Sequence, residues 1–247
     1  MKAALLAAVA LVALVPSAHA TLITTTNIFA PQAGSGAATT PVDLTGIIPP
    51  SQASITGNGY SITVATASNE GIVQGSASGL YAVPVAGVMN GQPVYLTGNL
   101  GSVLTPTLSE SGNYFSTGGP GASITIDFAT AQTSLALLWG SIDGSNEIQF
   151  ESALGVVQDT LTGVEVQQEL AQVFAGEGSQ GLGGSAYVDV TAATPFSRIV
   201  LTSGVFSFEA AALIGSDTPF TVPEPISLVL FGSGLAAIGM IRRQRPS

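Results

Sequence analysis

The side chains able to do chemistry in this chain are few and nearly all of one kind. It holds 15 carboxylates, 5 lysines and arginines, one histidine and no cysteine. The histidine, His19, lies among the first twenty residues, and between positions 21 and 221 the only basic residue is Arg198. Imidazole-activated serine, reactive thiolates and Schiff-base lysine therefore cannot be assembled there. The usual ligands of zinc, copper and haem iron are missing as well, so no site for those metals and no cofactor is expected. Two chemistries survive: paired carboxylates, as in glycoside hydrolysis, and oxygen-rich calcium sites.

Each candidate also has a structural reading. Glu147 and Glu151 alternate with Ile148 and Phe150, so on a strand they share a face with Gln149. At about 3.3 Å per residue the two acids lie roughly 13 Å apart, beyond the ~5 to 9.5 Å of glycosidase pairs. A wet strand face accounts for them better. "DGSNE" from Asp143 to Glu147 sets oxygens at alternate positions, as a calcium loop begins, but it lacks the glycine at position six. Leu154 also stands where that loop needs a bidentate acid. A hairpin turn is the expected reading, with Gly144 and Asn146 tolerant of positive φ. Trp139 suits a sugar platform, yet its register with Leu135 and Leu137 predicts a core position. "GEGSQGLGG" has no lysine and opens no helix, so it reads as a flexible link over 177–184 rather than a phosphate loop.

Any such site must be positioned by β structure. "SITVATA" sets Ile62 and Val64 on one face, and "ASITIDF" does the same for Ile124, Ile126 and Phe128, a period of two bounded by glycine and proline. "SLALLWGSID", "NEIQFES", "SAYVDV", "RIVLTS" and "VFSFEA" continue the series. The expected fold is all-β, an antiparallel β-sandwich of jelly-roll type over 21–221. One short helix is predicted in "TGVEVQQELAQVFAG", where Val166, Leu170, Val173 and Phe174 recur at helical spacing. There Thr162 and Glu165 form a capping box and Gly176 ends the helix. An apolar fraction of 46% excludes a disordered acidic chain. Glu224 is the only acid outside 21–221, so fourteen carboxylates face one guanidinium, a formal charge near −13. Nucleic acid is excluded as a partner, because polyphosphate binding needs clustered Lys and Arg.

The two ends give the address. Lys2, the apolar run 3–15, Pro16, and small residues at Ala18 and Ala20 make a signal peptide over 1–20, to be cut by signal peptidase after Ala20. At the other end, 226–241 carries no charge and as a helix spans about 24 Å, short of the ~30 Å hydrocarbon layer. Arg242, Arg243 and Arg245 can snorkel to cover the shortfall. By the positive-inside rule they hold the body outside the inner membrane.

Val222-Pro223-Glu224-Pro225, the apolar run and the terminal arginines, in that order, resemble the PEP-CTERM sorting signal of bacterial exosortase substrates. The resemblance covers 222–247. It implies that Pro223, Glu224 and Pro225 carry recognition by a membrane-embedded exosortase. It also implies that the protein belongs at the surface or in the extracellular matrix of a Gram-negative, exopolysaccharide-making bacterium. Proline lacks an amide donor and fixes φ, which holds Glu224 out of regular structure. "WGSIDGSNEIQF", "LTG", "YVDV", "RIVLTS" and "FE" further resemble a strand and turn pattern of such surface proteins. Ala210 and Ala211 stand where that pattern has Asp-Asn.

The sequence thus predicts a non-enzymatic, exosortase-sorted surface or matrix protein, structural or adhesive and associated with exopolysaccharide. The alternatives are a carbohydrate-binding module and, behind it, a carboxylate-only glycoside hydrolase.

Overall fold

The computed structural model describes residues 22–26, 32–33, 36–51, 54–66, 70–89, 92–97, 105–107, 112–173 and 184–221. The first strands are short: β1 (Leu22–Thr26), β2 (Gln32–Ala33), β3 (Thr39–Pro41), β4 (Ile55–Thr56), β5 (Tyr60–Ala65), β6 (Gly71–Gln74), β7 (Gly87–Met89), β8 (Gln92–Thr97), β9 (Thr105–Thr107) and β10 (Asn113–Thr117). The frame follows: β11 (Ser123–Gly140), β12 (Asn146–Glu151), β13 (Val157–Thr162), helix α1 (Gly163–Val173), β14 (Ala186–Ser203), β15 (Phe208–Ser216) and β16 (Phe220–Thr221).

The expectation of an all-β chain with one helix holds among the described residues. Every named strand pairing is antiparallel. Eleven strands form one continuous sheet along the path β13-β12-β14-β11-β15-β10-β6, with β1, β3, β4 and β5 joined at its sides. Two long strands of 18 residues, β11 and β14, make this possible.

The first part of β11 pairs with β5 and with the end of β14, whereas its second part pairs with β15 and the start of β14. Between the two parts the β11–β14 register shifts around Gln132. Such bulges let one strand serve two sheet directions. Phe196 fills the bend, edge-on to Phe128 at 6.1 Å and to Phe150 at 5.0 Å.

The two halves differ in how they are covered, and the sequence carries that difference. In "SITIDF" burial alternates, so one face is wet, while in "LALLWG" and in "AYVDV" of β14 every residue is buried. Ile62, Ile124, Ile126, Ile148 and Ile199 of the first half share a single core with Leu135, Leu137, Trp139, Val188 and Phe208 of the second. The opposite face of the second half carries its own small cluster of Val73, Tyr114, Leu138, Tyr187, Ala211 and Ala212.

Helix α1 forms where it is predicted, and its capping box is made in both directions. The Thr162 amide donates to Glu165 Oε2 at 2.7 Å, and the Glu165 amide donates to Thr162 Oγ1 at 3.4 Å. Val166 and Leu170 face the core. Gly163 is obligatory at the first helical position, because a Cβ there would lie 1.8 Å from the Asp143 carbonyl oxygen. Phe174, Gly176 and 177–183 of the expected link lie outside the described residues.

Candidate functional site

The second face of the sheet carries the least ordinary chemistry. In β15, Phe208 and Ala210 point into the core, so Glu209 between them points the other way. Its cross-strand partners are Ser116 on β10 and Gly140 on β11, and it is fully buried. A strap of residues 76–86, between β6 and β7, covers it. The Ala82 amide donates to Glu209 Oε1 at 3.1 Å, while Oε2 has no hydrogen-bond partner. Burial pushes the carboxyl up to about 8, and the charge on Asp143 adds to the rise. The Ala82 amide, the nearby Ser141 hydroxyl and Glu209's own amide oppose it. Asp189, on the same face of β14 as Tyr187, is pushed up to about 7 by burial, and its Oδ1 is also without a partner.

The strap can lie this close because β11 ends in glycine. A Cβ on Gly140 would sit 2.9 Å from Pro84 Cγ and 3.0 Å from its Cβ. Two other contacts hold the strap to the sheet. The Val85 amide donates to Ser185 Oγ at 3.2 Å, and the Ser207 hydroxyl donates to the Leu80 carbonyl. The same hydroxyl lies 3.2 Å from Glu70 Oε1, and Glu70 Oε2 accepts the Gly118 amide at 3.0 Å.

Beside the strap lies a cavity of about 430 Å³. Its apolar wall includes Ile47, Pro49, Val83 and Pro84, its polar edge is Thr45, Gln74 and Asn113, and its lining carries no charged side chain. Asn113 Nδ2 holds the rim by donating to the carbonyls of Leu44 and Ile47, both at 2.8 Å. Ala212 also lines the cavity, and it is the extra residue of a bulge between β11 and β15, with φ 53°.

The sequence-predicted sites fall as follows. Trp139 is core: fully buried, stacked on Phe208 at 4.4 Å, its Nε1 donating to Asn146 Oδ1 at 3.4 Å. "DGSNE" is a turn but not the expected hairpin, because β12 pairs with β13 and β14 and β14 lies between it and β11; its oxygens accept hydrogen bonds from within it. Asp143 Oδ1 takes the amide and hydroxyl of Ser145, and Asn146 Oδ1 takes the Asp143 amide. The positive φ expected at Gly144 and Asn146 falls instead on Ser141, at 47°, just after β11.

The wet-face reading holds for Glu147, which is half-buried and accepts from Gln149 Nε2 at 2.6 Å. It fails for Glu151, which is only 8% exposed. Arg198 crosses to it from β14 at 3.6 Å and to Asp127 on β11 at 2.6 Å, so the one guanidinium of the described body joins three adjacent strands. Ala18 and Ala20, Val222 to Pro225, the run 226–241 and Arg242, Arg243 and Arg245 all lie outside the described residues. Among the described residues no helix is long and apolar enough to cross a membrane.

Asp189 in "YVDV" and Glu209 in "FE" are not among the candidates that residue type and spacing single out. A signal for them exists. In "VFSFEAAALIG" and "AYVDV" the acid has apolar neighbours of both parities, so it is buried whichever face the strand turns inward.

Comparison with known proteins finds the PEP-CTERM protein-sorting motif at residues 221–245. The motif supports an exported protein processed by exosortase and sorted to the surface or membrane of a bacterium. No curated protein and no solved structure matches the chain.

Proposed function

We propose that this chain is a structural or adhesive protein of the cell surface or extracellular matrix of a Gram-negative bacterium, associated with exopolysaccharide and without enzymatic activity. The observation that carries this reading is the sorting motif at 221–245. In this reading residues 1–20 are removed by signal peptidase, 226–241 spans the inner membrane with Arg242, Arg243 and Arg245 inside, and exosortase recognises Pro223, Glu224 and Pro225. The body is then delivered as a folded antiparallel β domain. A carboxylate-rich surface with one guanidinium suits a hydrated extracellular layer.

Processing is tested by the intact mass of the secreted protein from a host with exosortase and from one without. The expected result is loss of the residues after the Val222 region only in the first host, with Glu224→Gln retaining the tail. A secreted mass that still includes Arg245 in both hosts overturns the reading.

The cavity favours a second reading, a carbohydrate-binding module. An apolar wall facing hydroxyl and amide groups, with no charge, suits a neutral sugar. Isothermal calorimetry with neutral and uronic polysaccharides tests it: heat with the neutral polymer, abolished by Asn113→Ala, supports it, and no heat with either removes it. The hydrolase reading gains nothing, because the cavity lining includes no carboxylate.

A further inference from the structure

We propose that residues 76–86 form a pH-operated latch over the second face of the sheet, with the Glu209 carboxyl as its catch. The strap is tied to itself by short-range bonds. The amides of Leu80 and Tyr81 donate to the Ala77 carbonyl, the Ala77 amide to the Tyr81 carbonyl, and the Val83 amide to Ser76 Oγ. Among the described residues three hydrogen bonds tie it to the sheet, spaced along its length: Ser207 on Leu80, Glu209 on Ala82 and Ser185 on Val85. A segment stiffened internally, with Tyr81, Val83 and Ala86 packed together on the apolar cluster of that face, moves as a unit. The middle attachment is the titratable one.

Only hydrogen-bond donors, the Ala82 and Glu209 amides and the Ser141 hydroxyl, favour the negative charge of Glu209, and no cation stands among the groups around it. Ser116 of β10 and Ser141 after β11 are neutral, and Asp143, further along that turn, is a carboxylate. Glu70, before β6, is a second carboxylate, already engaged with Gly118 and Ser207. Asp189 on β14 is a third acid on the same face, and Arg198 is committed to Asp127 and Glu151. With the sheet beneath it, an ionised Glu209 reaches water by lifting the strap. Val83 and Pro84 belong to the strap and line the cavity, so lifting also opens the cavity wall.

The direction follows from linkage. Closed, the carboxyl holds its proton up to about 8, whereas in water it releases it near its ordinary 4.5. The closed state therefore binds the extra proton between those values and is favoured at the acid end. The open-to-closed ratio rises by up to roughly tenfold per pH unit across that window and levels off above it. The latch does not depend on either functional reading.

The test is hydrogen exchange by mass spectrometry on the full chain in detergent micelles, corrected for intrinsic rates, at about pH 5.5 and about pH 8.5. Protection of the peptide spanning 76–86 is expected to fall roughly tenfold or more at the higher pH while β11 and β14 stay protected. Glu209→Gln, whose amide oxygen still accepts from Ala82, abolishes the fall, and Asp189→Asn keeps it. Equal protection at both pH values, or a fall undiminished in Glu209→Gln, overturns the proposal. Should that variant fail to fold, wild type and Asp189→Asn decide: a fall confined to the strap supports the latch, and one shared by the whole sheet overturns it.

Discussion

Glu209 and Asp189 are acids whose folded environment prefers the proton, which inverts the usual behaviour of a carboxylate. With folded values raised to about 8 and about 7, each binds a proton in the native state over a range where the unfolded chain has released it. Global stability therefore falls as pH rises through that range. Glu209→Gln should match wild type near the ordinary carboxyl value and then become more stable with rising pH, by a few kcal/mol above about pH 8. Urea unfolding at a series of pH values measures the difference. Arg198 is a separate case, because its side chain is 32% exposed and water screens its pairs. Arg198→Gln should cost about 1 kcal/mol, less in high salt. Trp139 and the Thr162–Glu165 box were legible because each is encoded within a few residues. Glu209 was not: its neighbours said that it is buried, but not that a strap some 127 residues earlier in the chain covers it.

At the scale of elements, legibility followed burial on one face or two. β5 and the first part of β11 alternate because one face is wet, and period two identified them. The second part of β11 and the start of β14 are buried on both faces, so their apolar runs marked strands without saying what covers the outer side. That cover depends on the close approach of Pro84 to Gly140. Gly140→Ala should lift the strap and cost about 1 to 3 kcal/mol through overpacking. Loss of protection at Ala82 and Val85 before any change in β12 or α1 identifies the strap as the part displaced. By contrast, Thr162→Ala removes only a cap and should cost about 1 kcal/mol, leaving the strap unaffected. Thermal melts of the two variants beside wild type separate the cases.

For the whole molecule the linear signals were the readable ones. A sorting motif is a contiguous stretch with order and composition, so it stands in the sequence as it stands at the membrane. The pairing of β1 with β14, and of β3 with β15, joins segments more than 150 residues apart, which no local pattern encodes. The body has fourteen acids with one arginine to offset them, and those that are ionised repel one another. Salt should therefore stabilise it: the melting temperature is expected to rise by a few degrees as the Debye length shrinks from about 30 Å at 0.01 M to about 3 Å at 1 M. A melting temperature flat across that range would mean the charges are too dispersed to matter.

The described chain ends with β16, held to β2 by two residue pairs, and with Asp217 and Ala38 joined at both amides. Before that comes β15, nine residues bonded to β11 along one edge and, on the other, to β10 at its start and to β3 at its far end. A pull arriving at Thr221 thus meets a weak stitch first and a wide clamp second. The stitch can peel one pair at a time under slight tension and lengthen the tether, whereas dislodging β15 requires breaking its pairings on both edges. A protein tied down at that end would give under the first drag of flow and then hold.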